Sequence, residues 1–375
     1  MSDKKIRIVL TGGISGGHTF PLVAVAEAAQ AHSPVPVEFL FIGSKGKIEE
    51  DAMREAGIDT RYILTGKWRR YLSVLNFFDL FKIPVGFLQT LWHILWFMPD
   101  VVFSKGGSAS VSVVFVAWLY RIPIVIHDSD ASIGLANRFA ARFASRIAVA
   151  YNSAFNFFPQ EKTALTGNPV RREITEGNIT EALETFFFHA DAPIILVLGG
   201  SQGAQSINEH MLVILPALLK KGYQIAHITG EKNFEDIVLS AKEYGLDVER
   251  GPYRPIPFLG AKPLADLYAA SQVVISRAGA GSIAELAANK KATILVPLSN
   301  AANNEQRMNA YELAEHGAAE VLEEPNLTEH ILLENIENLL VNNDLRTQMG
   351  EALSNFYHPD AADRIAVTLI ELAVA

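Results

Sequence analysis

The sequence contains no cysteine among its 375 residues. Without cysteine there is no disulfide framework, no thiolate-bound metal and no thiol nucleophile. Proteins without disulfides fit a reducing compartment, so a cytoplasmic setting is expected.

Long apolar runs and an excess of positive charge are also missing. A membrane-spanning helix needs about 20 consecutive apolar residues. The nearest candidate, residues 83–98, contains several polar residues and stops at Pro99. The N-terminal stretch MSDKKIRIVL is too weakly apolar for a secretory signal peptide. The 32 basic and 41 acidic residues give a net charge of −9, which argues against general nucleic-acid binding.

The length and the sequence pattern indicate two α/β domains. A chain of 375 residues exceeds one average core. Short apolar segments typical of strands alternate with helical segments, which predicts doubly wound parallel sheets. A Gly-Asn-Pro turn at residues 167–169 separates two such alternations. The predicted domains are residues 1–170, joined by a C-terminal helix over about 357–375 that crosses back, and residues 171–356.

A glycine-rich turn follows the first strand of each half. Residues 6–21 read IRIVLTGGISGGHTFP, a buried strand, a glycine turn and a helix predicted to start at Pro21. Residues 193–208, PIILVLGGSQGAQSIN, echo this pattern. The N–H groups of such a helix start can bind phosphate, carboxylate or sugar oxygens. Ligands of open α/β sheets bind at the carboxyl ends of strands, so we expect two sheets that face each other across a cleft.

His18, at the helix end of the first glycine turn, is the side chain there that can move a proton near neutral pH. The alternative interpretation is that the glycines only form a turn and that His18 caps a helix.

Residues 68–98 combine aromatic residues with cations, in a segment too broken to span a membrane. Such a composition favours a surface that lies in the bilayer interface, although an ordinary core helix is the alternative. The aromatic residues are Trp68, Phe77, Phe78, Phe81, Phe87, Trp92, Trp96 and Phe97, and the cations are Lys67, Arg69, Arg70 and Lys82.

Several motifs in order resemble the MurG family, the peripheral membrane glycosyltransferases of peptidoglycan synthesis. They are GGISGGHTFPLVAVAEA, SKGGSASVS, IPIVIHDSD with GLANR, TGNPVR, LVLGGSQGAQSIN, SRAGAGSIAELA, LVPLSNAANNEQRMNA and HGAAEVLEE. The combination covers nearly the whole chain. The resemblance implies a GT-B fold and transfer of N-acetylglucosamine, with inversion, from UDP-GlcNAc to the 4-hydroxyl of MurNAc in lipid I, giving lipid II.

Four departures from the family pattern indicate a divergent member. The sequence has His127-Asp128-Ser129-Asp130 where the family usually has HEQN, and Glu305 where a glutamine usually precedes Gln306. The first glycine turn is one residue longer than usual, and Ser108 replaces a frequent tyrosine.

The resemblance also implies which residues bind the donor. Arg171 and Ser201 would hold the diphosphate, although Arg172 stands beside Arg171 and is the alternative. Glu285 would accept from the ribose hydroxyls. The backbone of Leu259 would face uracil, and Gln306 would contact the sugar. The implied donor-binding set is Ser15, Gly16, Gly17, Asp130, Arg171, Ser201, Leu259, Ala280, Gly281, Ser282, Ile283, Ala284, Glu285 and Gln306.

For the acceptor half, the resemblance implies that His18 is the base that deprotonates the attacking hydroxyl. Asp128 is the second catalytic candidate, and Asp128 or Asp130 would orient His18 or replace it as base. The acceptor diphosphate would be held by Gly12, Gly13, Gly106, Gly107 and Asn137. No Asp-x-Asp pair follows a strand of the donor half, so no tightly held metal or other cofactor is expected, while assistance by a divalent ion stays open.

The expected partners are UDP-GlcNAc, a polyprenyl-diphosphate acceptor and the membrane surface at the cytoplasmic face of the cell membrane, with no nucleic acid. Three alternatives stay open: a UDP-GlcNAc 2-epimerase of the same fold, a glycosyltransferase with another polyprenyl or glycolipid acceptor, and a non-catalytic paralogue that binds a UDP-sugar.

Overall fold

The computed structural model describes residues 5–13, 16–66, 74–199, 203–301 and 304–375, and it describes the backbone alone for 74–81. The chain divides into two compact units. The first comprises residues 1–170 and 358–375, and the second comprises residues 171–357.

The described residues of the first unit form a parallel seven-stranded sheet with the strand order β3-β2-β1-β4-β5-β6-β7. The central strands are almost fully buried, as strands covered by helices on both faces must be. The strands are β1 (Ile6–Thr11), β2 (Val37–Gly43), β3 (Asp59–Tyr62), β4 (Val101–Ser104), β5 (Ile124–Asp128), β6 (Arg146–Val149) and β7 (Thr163–Leu165).

Helices connect these strands. They are α1 (Gly16–His32), α2 (Lys47–Glu55), α3 (Val74–Phe97), α4 (Ser108–Leu119), α5 (Leu135–Ala140) and α6 (Asn152–Phe155). The predicted start of the first helix at Pro21 is wrong, because α1 begins at Gly16 and places His18 in its first turn. Pro21 is the sixth residue of α1 and lies inside the helix, where it lacks the N–H that would bond to the carbonyl of Gly17.

The described residues of the second unit form a parallel six-stranded sheet with the strand order β10-β9-β8-β11-β12-β13. Its elements are α7 (Ile179–Phe186), β8 (Ile194–Leu198), α8 (Gln205–Lys220), β9 (Gln224–Ile228), α9 (Phe234–Glu243), β10 (Tyr253–Ile256), α10 (Ala261–Ala270), β11 (Val273–Ser276), α11 (Ala280–Ala288), β12 (Ala292–Leu295), α12 (Glu305–Glu315), β13 (Glu320–Val321), α13 (Glu329–Val341) and α14 (Asn343–Ser354).

The last helix, α15 (Ala361–Val374), packs against α1 of the first unit. Its apolar residues Ile365, Ala366 and Leu369 are buried in the core of that unit. The Nε2 atom of His32 lies 2.8 Å from a carboxylate oxygen of Asp363, and Arg364 donates to the carbonyl of Leu165.

Each sheet has one point where the strand order reverses, between β1 and β4 in the first unit and between β8 and β11 in the second. In the first unit Thr11 pairs with Ser104, and in the second Leu198 pairs with Ser276. These four residues end their strands, so the turns that follow lie side by side. Such reversal points are where open α/β sheets bind ligands.

Candidate active site

His18 lies at the reversal point of the first unit, half-buried in the first turn of α1. Its Nδ1 atom is 3.0 Å from the carbonyl oxygen of Lys105, the residue that follows β4. A carbonyl oxygen only accepts, so Nδ1 carries the proton and Nε2 of the neutral ring carries the lone pair. The backbone carbonyl of Lys105 therefore accepts the hydrogen bond from Nδ1–H and orients the ring, a role that the sequence had suggested for Asp128 or Asp130.

The charges around His18 favour a neutral ring. Burial lowers the pKa of His18 below its usual value, and the Lys105 cation lowers it further, whereas the Asp130 carboxylate raises it. A base must be unprotonated before it can accept a proton. The lowered pKa keeps His18 in that state at neutral pH.

Lys105 is almost fully buried and was not predicted from the sequence. Its ammonium group donates to Nδ1 of His127 at 2.6 Å, to Oδ1 of Asn168 at 3.2 Å and to the hydroxyl of Ser129. Burial lowers the pKa of Lys105 to about 7, against the opposing pull of the carboxylates of Asp130 and Asp128. The available signal was a lysine between a buried strand and a Gly-Gly turn.

Asp128, at the end of β5, organises the loop that follows it. One of its oxygens faces the N–H of Asp130 at 3.4 Å, and the other accepts from the side chain of Asn137 at 3.2 Å and faces the N–H of Gly134. Burial, then the charge of Asp130, raises the pKa of Asp128 to about 7. Asp128 is 2% exposed and both oxygens are engaged, so it is a weaker candidate base than His18.

Glycine is required where two predicted acceptor turns meet. Gly107, the N-cap of α4, has a φ of +89°, and a Cβ there would lie 2.5 Å from the Cα of Gly13. Gly12 and Gly13 follow β1, and the His18 ring lies against Gly13. Asn137 faces Gly106, and its buried Oδ1 has no hydrogen-bond partner among the described residues. The structure thus brings these predicted acceptor residues together around His18.

In the second unit, Glu285 and Arg171 form an ion pair, with 3.8 Å between Oε1 of Glu285 and Nη2 of Arg171. The hydroxyl of the fully buried Tyr268 donates to Oε2 of Glu285 at 3.2 Å. Burial raises the pKa of Glu285, while Arg171 and the Tyr268 hydroxyl oppose that rise. The residues expected at the diphosphate and at the ribose are therefore neighbours.

The two adjacent arginines differ in their surroundings. The side chain of Arg171 is 18% exposed beside Glu285, whereas that of Arg172 is 90% exposed and pairs with Glu176 on the surface. The arrangement favours Arg171 as the arginine of the site. Tyr268 was not predicted, because an aromatic residue on an apolar helix reads as core.

The other described donor residues predicted in the second unit lie on the loops and helix starts at the same edge of the sheet. Helix α11 begins at Ala280 and contains Gly281, Ser282, Ile283, Ala284 and Glu285. A Cβ on its N-cap, Gly279, would meet nothing within 4 Å, so space is open beside the helix start. The side chain of Gln306, on α12, accepts from the backbone of Leu298, and Leu259 lies half-buried before α10.

Asn309, on α12 with Gln306, is buried and donates to the carbonyl of Ala278 in the turn before α11. Gly16 and Gly17 are the first residues of α1. Asp130 lies in the same unit, in the loop after β5. Ser15 and Ser201 lie outside the described residues, as do Lys67, Trp68, Arg69 and Arg70. Within the described ranges, no three histidine or carboxylate side chains converge as metal ligands.

Among the described side chains of α3, at residues 82–97, most of the large apolar ones face outward. Gly86, Thr90 and Ile94 form a narrow buried seam against the unit. Outside this seam the residues of the exposed apolar patch are Leu88, Trp92, Leu95, Trp96 and Met98 on α3 and its end, and Trp118, Leu119 and Tyr120 at the end of α4. Phe87 contacts Phe115, which joins the two helices. Within residues 82–98, the core-helix alternative therefore describes only the seam.

In the part of the chain that the structure describes, no helix combines the length and apolar character needed to span a bilayer.

Family models match both halves of the chain. The glycosyltransferase family 28 N-terminal domain matches residues 8–149, and the glycosyltransferase family 28 C-terminal domain matches residues 194–365. A curated relative from Lachnoclostridium phytofermentans is 37% identical over 366 residues, which are 97% of this chain and 98% of the relative. It is named UDP-N-acetylglucosamine–N-acetylmuramyl-(pentapeptide) pyrophosphoryl-undecaprenol N-acetylglucosamine transferase.

Solved structures share the fold. The crystal structure of Acinetobacter baumannii MurG matches with a TM-score of 0.72 and 24% identity, covering 98% of this chain and 99% of that one. A UDP-GlcNAc 2-epimerase from Neisseria meningitidis bound to UDP-GlcNAc matches with a TM-score of 0.68 and 13% identity, covering 98% and 100%. At these sequence identities, the two structures support the fold and no specific function.

Proposed function

Because the chain belongs to the MurG family of N-acetylglucosamine transferases, within glycosyltransferase family 28, we infer that it transfers N-acetylglucosamine from UDP-GlcNAc to a lipid-linked MurNAc-pentapeptide, giving lipid II. The observation that carries this function is the 37% identity that extends over 97% of the chain. The epimerase alternative shares the fold but not the family.

The chemistry requires a base in the first unit. The 4-hydroxyl of MurNAc gives its proton to Nε2 of His18, its oxygen bonds to the anomeric carbon of N-acetylglucosamine, and UDP leaves with the electron pair of the broken bond. Attack opposite to the leaving group inverts the anomeric centre. The Nδ1–H bond to the carbonyl of Lys105 supports this assignment, because it leaves the lone pair on Nε2.

The second unit binds the donor. Glu285 accepts from the ribose hydroxyls, and the Arg171 guanidinium binds the diphosphate and stabilises the charge that develops on leaving UDP. The start of α11 adds N–H groups and the positive end of a helix dipole. Tyr268 and Arg171, which both lie against Glu285, support this proposal.

A transfer assay tests the function. Purified protein is incubated with radiolabelled UDP-GlcNAc and a short-chain lipid I analogue, with and without EDTA. We expect label in the lipid fraction under both conditions. Formation of UDP-ManNAc would indicate an epimerase instead, and UDP binding without turnover would indicate a non-catalytic paralogue. Labelling of another polyprenyl lipid in place of the analogue would indicate a different acceptor.

The acceptor is anchored in a membrane, and the exposed apolar patch gives the first unit a means to reach it. Trp92 and Trp96 are 59% and 70% exposed and contact each other edge to face. Apolar patches of this kind on a protein surface mark interaction sites, and tryptophan is favoured at the bilayer interface. The patch would hold the enzyme at the cytoplasmic face of the cell membrane.

Replacing both tryptophans with glutamine is expected to weaken binding to phospholipid vesicles about tenfold or more, since burying one large apolar side chain contributes roughly 1.5–3 kcal/mol. Co-sedimentation with vesicles that contain anionic lipid measures the effect. The matched control is Val341→Gln, an 81% exposed apolar residue at the end of α13. Equal vesicle binding by the double variant and the control would show that Trp92 and Trp96 do not contribute to membrane binding.

A further inference from the structure

Lys105 makes a set of contacts that the transfer reaction does not use directly. Its ammonium group has three N–H donors, and the structure supplies three acceptors: Nδ1 of His127, Oδ1 of Asn168 and the hydroxyl of Ser129. The three contacts match the three donors of the charged form, whereas a neutral amine could satisfy all three only if the Ser129 hydroxyl donated to its lone pair. A buried lysine that meets as many acceptors as it has donors is well placed to order its surroundings.

The orientation of the His127 ring is consistent with an ammonium group on Lys105. Nε2 of His127 lies 2.9 Å from the carbonyl oxygen of Gly167, so Nε2 carries the proton and Nδ1 accepts from Lys105. Burial and the Lys105 cation hold the pKa of His127 well below its usual value, which keeps this ring neutral. The hydrogen-bond directions are therefore consistent throughout the cluster.

The cluster ties together the ends of three strands. Lys105 follows β4, His127 and Ser129 lie at the end of β5, and Asn168 follows β7. The backbone N–H of Lys105 also bonds to the carbonyl of Thr11 at the end of β1. Because its side chain and its N–H are both fixed, the position of the Lys105 carbonyl is fixed as well. That carbonyl is the group that accepts from His18.

We propose that Lys105 is a positioning residue for the transfer reaction. Its buried ammonium group fixes the carbonyl that holds the proton of His18 on Nδ1, and so presents the Nε2 lone pair to the acceptor hydroxyl. The proposal rests on the proposed function for its catalytic meaning, but the state of the His18 ring is measurable without any substrate.

The other charged groups near His18 are accounted for. Asp130, in the loop after β5, raises the pKa of His18, in opposition to Lys105. Asp128 is bound by the N–H groups of its own loop and by Asn137. From α2, Glu49 accepts from the hydroxyl of Thr19, the residue after His18. Removing the cation of Lys105 therefore leaves burial as the main cause that opposes the Asp130 carboxylate, and the pKa of His18 is expected to rise.

The first measurement uses the wild-type full-length protein with ¹⁵N-labelled histidine, and His18→Gln identifies the His18 signals. We expect a neutral ring at pH 7.5 with the proton on Nδ1. A proton on Nε2 would overturn the proposal, whatever the transfer assay shows. Conversely, a protein that lacks transferase activity but shows the Nδ1–H ring would contradict the proposed function and leave the positioning by Lys105 intact.

The second measurement uses Lys105→Met. We expect kcat to fall about ten- to hundredfold, the usual cost of losing a group that orients a directly acting residue. The KM values for UDP-GlcNAc and for the lipid acceptor should change little. We also expect the His18 titration and the acid limb of kcat/KM to move to higher pH. An unchanged His18 titration in the folded variant would overturn the proposal. If this variant does not fold, the histidine measurement on the wild type still tests the proposal, because a proton on Nε2 of His18 would overturn it.

The matched control is Lys162→Met in the same unit. Lys162 also donates to neutral acceptors, the carbonyls of Ala141 and Ala144, but it precedes β7 and so lies at the opposite edge of the sheet. We expect this control to leave kcat and the His18 titration unchanged. Equal effects of the two substitutions would mean that Lys105 acts through general stability, which would contradict its role as a positioning residue.

Discussion

Replacing His18 with glutamine is expected to lower kcat by about 100- to 10,000-fold, the usual contribution of a general base. Glutamine has an amide of similar size but no nitrogen that can accept a proton. Arg171 and Glu285, the residues expected at the diphosphate and the ribose, lie in the second unit, so the affinity for UDP is expected to remain. Steady-state transfer assays measure kcat, and calorimetric titration with UDP measures the affinity.

The control for this prediction is His32→Gln. His32 lies at the other end of α1 and bonds to Asp363 on the surface, where such pairs contribute at most about 1 kcal/mol. This variant should retain the activity of the wild type. A His18→Gln enzyme that turns over at the wild-type rate would exclude His18 as the base.

The pH profile separates His18 from Asp128. The pKa of His18 is lowered from 6.5, mainly by burial, so a His18 base predicts an acid limb of kcat/KM below pH 6.5. Activity falls there on acidification, because the ring gains a proton. The pKa of Asp128 is raised to about 7, so an Asp128 base predicts an acid limb near pH 7. An acid limb near pH 7 that disappears in Asp128→Asn would assign the base to Asp128.

Replacing Glu285 with glutamine is expected to weaken UDP-GlcNAc binding about ten- to hundredfold. A hydrogen bond to a charged group contributes roughly 1.5–3 kcal/mol, and the amide loses one acceptor toward the ribose. The substitution also removes the carboxylate partner of Arg171. Calorimetric titration with UDP and the KM for UDP-GlcNAc measure the loss, and kcat at saturating donor should change much less.

Two further variants sharpen this prediction. Glu176→Gln removes a carboxylate that pairs with Arg172 on the surface, and it should bind UDP as the wild type does. Tyr268→Phe keeps the buried ring but removes the hydroxyl that donates to Glu285, so a smaller loss of affinity is expected. Unchanged UDP binding in Glu285→Gln would remove Glu285 from the donor site.

The sequence was sufficient for the class of fold. Continuous apolar strands such as β1 and β8 must be covered on both faces, and helices between them force a parallel sheet. Glycine turns after strands also follow from the sequence, since Gly107 after β4 and Gly203 after β8 adopt a backbone conformation that disfavours side chains. The motifs around His18 and Glu285 were enough to indicate a family, which the relatives then established.

Local pattern was less reliable at the start of α1. Pro21 is a strong helix-start signal, yet the helix begins five residues earlier at Gly16. Glycines favour turns in the absence of other contacts, but tertiary packing at a sheet edge overrides that weak local preference.

The sequence by itself determined the strands, the glycine turns and the residues whose chemistry suits the reaction. Only the tertiary structure showed which groups form hydrogen bonds with those residues. The acceptors of Lys105 stand 22, 24 and 63 residues further along the chain, and Tyr268 precedes Glu285 by 17 residues. The partners of Lys105 meet because parallel strands bring their carboxyl ends to one edge, whereas Tyr268 and Glu285 meet where α10 contacts α11. Burial changes the pKa values of the groups that meet.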